Sequence, residues 1–120
     1  MEITIPGNPR PKSRPRFGNG RTFTPKEDIQ AEREIAAHIT QHIEEPIDGP
    51  VSIEIDFFRD SARRVDLDNL VKRVLDAANG VAYFDDNQVV EIRATKNIDK
   101  EDPRTVINVA LASSYRYGES

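Results

Sequence analysis

The chain has 120 residues, no cysteine, 32% charged residues and a net charge of −4. That length holds one domain with a single modest core, and the lack of cysteine excludes disulfide frameworks and thiolate metal sites. No apolar run approaches the ~18 residues of a membrane span. Met1-Glu2-Ile3-Thr4-Ile5 is no charged-then-apolar leader, so a cytoplasmic protein is the expectation. The mean charge hides an asymmetry. Residues 9–26 carry six cations and no anion (Arg10, Lys12, Arg14, Arg16, Arg21 and Lys26); taking those six from the net −4 leaves −10 on the remainder. Such a patch attracts phosphate even on an acidic protein.

Glu2-Ile3-Thr4-Ile5 alternates polar and β-branched residues and stops at Pro6-Gly7, as a short strand does. Residues 6–25 are rich in proline and glycine and are expected to form a long loop or arm without a regular element. Along it Arg10, Lys12, Arg14 and Arg16 alternate with Pro9, Pro11, Ser13 and Pro15, an extended row of cations suited to a phosphate backbone.

Thr24-Pro25-Lys26-Glu27 reads as a helix start: a capping threonine, proline at the first helical position and glutamate closing a capping box. Ala31, Ile35, Ile39 and Ile43 form its apolar stripe, widened by Ile29 and Ala36, and the helix is expected to end before Pro46. Val51, Ile53, Ile55 and Phe57 alternate with polar residues in the clearest strand of the chain. After a connector holding Arg63 and Arg64 comes a second helix, with Leu67, Leu70, Val71, Val74, Leu75 and Ala78 inward and Gly80 ending it. Residues 89–96 and 105–111 predict two more strands, close enough for a hairpin, and residues 113–120 form a polar tail. The order β–arm–α–β–α–β–β predicts an α+β fold, a small mixed β-sheet with two packed helices.

The chemistry concentrates in Asp66-Leu67-Asp68-Asn69-Leu70-Val71-Lys72 and in Phe84-Asp85-Asp86-Asn87-Gln88. Asp68, Lys72 and Asp76 recur every four residues along one side of the second helix, with Asp66 just ahead of it and Asp85-Asp86 closing over the same spot from the following loop. Hard divalent cations take carboxylate oxygens, and such ions hydrolyse phosphodiesters by acidifying a water and neutralising phosphate charge. Lys72 offers a cation beside that centre. The bland alternative makes Asp68 a helix cap, Lys72 its ion-pair partner and Asp85-Asp86 a solvated turn.

Arg64-Val65-Asp66-Leu67-Asp68-Asn69-Leu70-Val71-Lys72, then Asp76-Ala77, then Asp85-Asp86-Asn87-Gln88-Val89, closely resembles the RusA family of Holliday-junction resolvases. The shared pattern is an arginine-rich approach to DxDNxxK, a helix ending in D-A and a D-D-x-Q-V turn; the segments 9–15 and 20–25 also look like the family's N-terminal region. The resemblance implies one RusA-like domain over residues 1–120, acting as a homodimer. Asp66, Asp68 and Asp86 would bind the metal, with Asp85 as a further candidate, and Lys72 would complete the catalytic set. Asn69, Asp76 and Gln88 would support them. It implies magnesium, with manganese as the alternative ion, and paired symmetric nicks across four-way or other branched DNA in recombination and repair. Arg10, Lys12, Arg14, Arg16, Arg21, Arg63 and Arg64 are the expected DNA contacts. The competing readings are a branched-DNA-binding protein with a non-catalytic acidic site and, lowest, a phosphohydrolase of small nucleotides, which would require a phosphate-cradling glycine loop that the chain lacks.

Overall fold

The computed structural model describes residues 1–11, 16–18, 21–23 and 26–112, the two short segments 16–18 and 21–23 by backbone alone. In chain order the elements are β1 (Glu2–Pro6), β2 (Arg16–Gly18), β3 (Arg21–Phe23), α1 (Lys26–His42), β4 (Val51–Arg59), α2 (Leu67–Ala78), a 3-10 turn at Asp86–Gln88, β5 (Val89–Ile98) and β6 (Arg104–Leu111). The α+β expectation holds: a mixed four-stranded sheet in the order β1-β6-β4-β5 carries two helices.

The core is built on the alternation of β4. Val51, Ile53, Ile55 and Phe57 are buried, as are Ile3 and Ile5 of β1 and Ile107 and Val109 of β6. Onto that face pack Ile39 and Ile43 at the end of α1 and Leu70, Val74 and Ala78 of α2. The opposite face of the sheet is polar: Ser52 donates to Glu91 at 2.7 Å, and Arg104 stacks 3.9 Å over the Phe58 ring. Ile29, expected on the α1 stripe, is exposed instead.

Two further expectations fail. The arm contains a regular element, the antiparallel pair β2–β3, whose register sets Gly18 opposite Arg21. The sequence signal for it is Asn19-Gly20, the dipeptide that two-residue hairpins prefer. Second, β5 and β6 are not a hairpin: β6 lies between β1 and β4, antiparallel to both, while β5 pairs parallel with β4 on the other side. Residues 99–103 therefore carry the chain across the end of β4, where Asp99 N–H donates to the Arg59 carbonyl at 2.8 Å. Parallel pairing of β4 with β5 is what a helical crossover permits, and α2 is that crossover.

The helices are joined by a pair that apolar periodicity does not report. Asp28 of α1 and Arg73 of α2 are both buried and form a salt bridge between the helices. No described helix is long and apolar enough to cross a membrane.

Candidate active site

Asp66 occupies the N-cap position of α2 in extended backbone (φ −82, ψ 129) but makes no side-chain capping bond, and its carboxylate is exposed. Capping therefore does not account for Asp66. Asp68, in the first turn and also exposed, accepts the Asn69 N–H at 2.9 Å. One turn on, Lys72 is exposed and lies 3.5 Å from Asp76, so the expected stripe along α2 is present, with Lys72 paired forward to Asp76.

The second acidic segment is held by a residue that sequence reasoning left in a supporting role. The Gln88 amide oxygen accepts the N–H groups of Phe84 and Asp85 at 2.7 and 2.9 Å. Its NH2 donates to the carbonyls of Ile47 and Gly49 at 2.7 and 2.9 Å. Gln88 thus clamps the Asp85-Asp86 turn to the entry of β4, with every polar group of the amide used.

Tyr83, which sequence reasoning missed, lies beside Asp86. It is fully buried, and its hydroxyl donates to the Leu75 carbonyl at 3.0 Å while also meeting the Asp86 carboxylate. Burial, then the charge and hydrogen bond of Asp86, then the charge of Asp76, push this hydroxyl far above its ordinary pKa. A buried tyrosine demands a partner for its O–H, and that requirement was the available signal. Because the folded-state pKa is raised, the stability contributed by neutral Tyr83 is complete below about pH 10 and lost as pH rises further, by up to ~1.4 kcal/mol per pH unit. Urea unfolding between pH 9 and 11 should show Tyr83→Phe flattening this alkaline decline; parallel curves would contradict the burial.

The geometry corrects one central expectation. Asp66 and Asp68 do not meet Asp86 within one chain: among the described residues no three carboxylate or histidine side chains gather closely enough for a metal ion. The reason is topological. Asp66 follows Val65, whose carbonyl accepts a bond from Lys96 late in β5, whereas Asp86 precedes the start of β5 and sits at the Leu75 end of α2. The twelve residues of α2 span about 18 Å between them. The chain instead brings together Asp76, Tyr83 and Asp86 at one end of the helix, and Asp66 and Asp68 at the other.

The residues nonetheless fit a hard cation in kind. All donors are oxygens, and Asp86 Oδ1 is a buried carboxylate oxygen with no hydrogen-bond partner, an arrangement that costs free energy unless something else satisfies it.

The basic residues converge on the Asp66 end. Arg59, buried, donates from Nε to the Pro9 carbonyl at 3.3 Å and from Nη1 to the Arg63 carbonyl at 2.8 Å, while Asn8 Oδ1 accepts the Asp60 N–H at 3.0 Å. These bonds pin the root of the arm, where Arg10 is exposed, to the connector carrying exposed Arg63 and Arg64. Lys12 and Arg14 lie outside the described residues, as do the side chains of Arg16 and Arg21 and the tail 113–120. A cleft of about 380 Å³ beside the arm root is lined by Arg10, Glu27, Glu34 and Arg73, among others, and by none of Asp66, Asp68 and Asp86.

Oxygen donors along and beside α2 and exposed Arg10, Arg63 and Arg64 near its Asp66 end are groups that suit a phosphate backbone and a hard cation. The model of the endodeoxyribonuclease RusA family matches residues 6–110, which takes in both acidic segments and the whole arm. The chain belongs to the RusA endodeoxyribonuclease family, a family of DNA-cleaving enzymes. It is also 29% identical over 140 residues to the uncharacterized protein YqaN of Bacillus subtilis (strain 168), covering 95% of this chain and 98% of the relative.

Proposed function

We propose that this protein is a magnesium-dependent, structure-selective endodeoxyribonuclease that resolves Holliday junctions by paired symmetric nicks, acting as a homodimer in DNA recombination and repair. The observation that carries this reading is the uncapped Asp66 beside Asp68 and Lys72, at the end of α2 where the arm root, Arg63 and Arg64 collect. Asp66, Asp68 and Asp86 are the metal-holding residues, with Asp85 beside them. Magnesium or manganese bound there supplies charge neutralisation at the scissile phosphate and makes a water more acidic.

The chain's own groups do the rest. Lys72 places a positive charge next to the reacting phosphate and stabilises the charge that grows on its oxygens. The arm cations, with Arg63 and Arg64, hold the DNA backbone in register, arginine gripping phosphate through two parallel bonds. Tyr83 and Gln88 fix the Asp86 turn so that its unpartnered oxygen stays oriented.

The separation of Asp86 from Asp66 and Asp68 supports the homodimer. One chain offers half of each carboxylate set, and a two-fold pair offers two complete sets, matching two equivalent strands to be cut. The test is incubation of the purified protein with a labelled four-way junction and with linear duplex, with and without magnesium. Symmetric paired nicks in the junction alone, requiring magnesium, are expected. Binding without cleavage would favour the reading as a junction-binding protein. Alanine at Arg14 and Arg16 together should also flatten the salt dependence of junction binding, by ~0.9 log units for each phosphate no longer neutralised. An unchanged slope removes the arm from the interface.

A further inference from the structure

Of the phenylalanines whose side chains are described, Phe57 is buried in the core and Phe58 lies under Arg104. Phe84 differs. It is 60% exposed, the most exposed large apolar side chain among the described residues. Its backbone is no loose loop tip. Ile47 N–H donates to the Ala82 carbonyl and Gly80 N–H to the Tyr83 carbonyl, both at 2.8 Å. The Phe84 and Asp85 N–H groups both end on the Gln88 amide oxygen. Tyr83 fills the core on one side, and the next side chain faces outward. The ring is therefore held out in solvent by a turn tied down on either side.

Its neighbours limit what can cover it. Asp85 and Asn87 are exposed, and Asp86, two residues on, has the buried oxygen without a partner. An apolar protein surface laid over Phe84 would take these carboxylates out of water, and interface cores are depleted of charge for that reason. A nucleobase makes a smaller demand. It stacks flat on one face of the ring and leaves the carboxylates wet or facing a cation. Two residues separate the Cα atoms of Phe84 and Asp86 by at most about 7.6 Å, a distance that one nucleotide covers between its phosphate and its base.

We propose that Phe84 stacks on an unpaired base next to the phosphate brought to Asp86, and so favours branched over continuous DNA. The phosphate at Asp86 rests on the proposed nuclease reading; the held-out ring does not. In a continuous duplex each base face is covered by its neighbours, so the ring has no face to meet. Where strands part at a branch, bases unstack at small cost and offer one. Phe84 is thus a selectivity residue, separate from the groups that grip phosphate or reach the reacting atoms.

The chain has no tryptophan, so Phe84→Trp places a single indole at this position. It is combined with Asp68→Asn, which should hold DNA uncut. A four-way junction with one unpaired nucleotide at the crossover should strongly quench the indole emission, and linear duplex of the same sequence should leave it little changed. Phe84→Leu keeps the apolar bulk and removes the stacking face. It should weaken binding of that junction by roughly 5- to 150-fold, the range for one base on one aromatic ring. Duplex binding and the circular-dichroism spectrum should not change, and Phe84→Tyr should bind as the wild type does. Emission that ignores a junction the chain binds, or a Phe84→Leu chain with the wild-type ratio of junction to duplex affinity, would overturn the inference. Emission that shifts when the protein alone is diluted would overturn it too, because a second copy then covers the ring. Quenching and a Phe84→Leu defect in a protein that cuts no DNA would sink the nuclease reading and leave the stacking standing; normal junction cleavage with neither would do the reverse.

Discussion

Asp68→Asn should reduce junction nicking to background while leaving junction binding largely intact. The substitution keeps the side chain's shape and removes its charge, and Asp68 is exposed with one short bond to the Asn69 N–H, so the fold should not suffer. Binding survives because affinity for DNA comes mainly from cations meeting phosphates, and those sit on the arm and the connector. Lys72→Ala should likewise cost rate more than affinity, roughly 10²- to 10³-fold, the scale seen when one charge-stabilising group is removed. Single-turnover cleavage alongside a binding titration checks both. Asp68→Asn protein that nicks at the wild-type rate would remove this residue from the chemistry.

The second large effect is on stability. Asp28 and Arg73 are 2% and 5% exposed and bind each other between α1 and α2. Arg73→Met breaks this buried pair, so it should destabilise by about 3–5 kcal/mol. The double variant Asp28→Leu/Arg73→Met should cost less than the sum of the single changes, since the two side chains bind each other directly. Urea denaturation measures both. A loss under about 1 kcal/mol for Arg73→Met would mean that water reaches the pair.

Much of this architecture was legible in the residues. The β4 alternation from Val51 to Phe57 and the apolar stripe of α2 each have one clear period, and each became the element expected. The arm hairpin was hidden because prolines on either side outweighed the Asn19-Gly20 signal between two short strands. The place of β6 between β1 and β4 was not legible at all, because alternation marks a strand without naming its neighbours. The Asp28–Arg73 pair was half visible. Asp28 continues the spacing of Ala31, Ile35 and Ile39, and Arg73 falls between Leu70 and Ala77; opposite charges at stripe positions on two helices are a signature of a buried pair.

The acidic site shows the same limit. Its residue types and the Asp68–Lys72–Asp76 stripe could be read directly. That Asp66 and Asp86 stand apart follows only once the length of α2 and the parallel pairing of β5 are known together.

A mixing experiment probes that arrangement most directly. Asp68→Asn and Asp86→Asn chains, each inactive alone, are refolded together so that they assort as dimers. If each carboxylate set draws on both copies, half of the mixed population carries one undamaged set, and about a quarter of wild-type sites should return as single unpaired nicks. No recovery in the mixture, with assortment verified, would contradict a site shared between two chains.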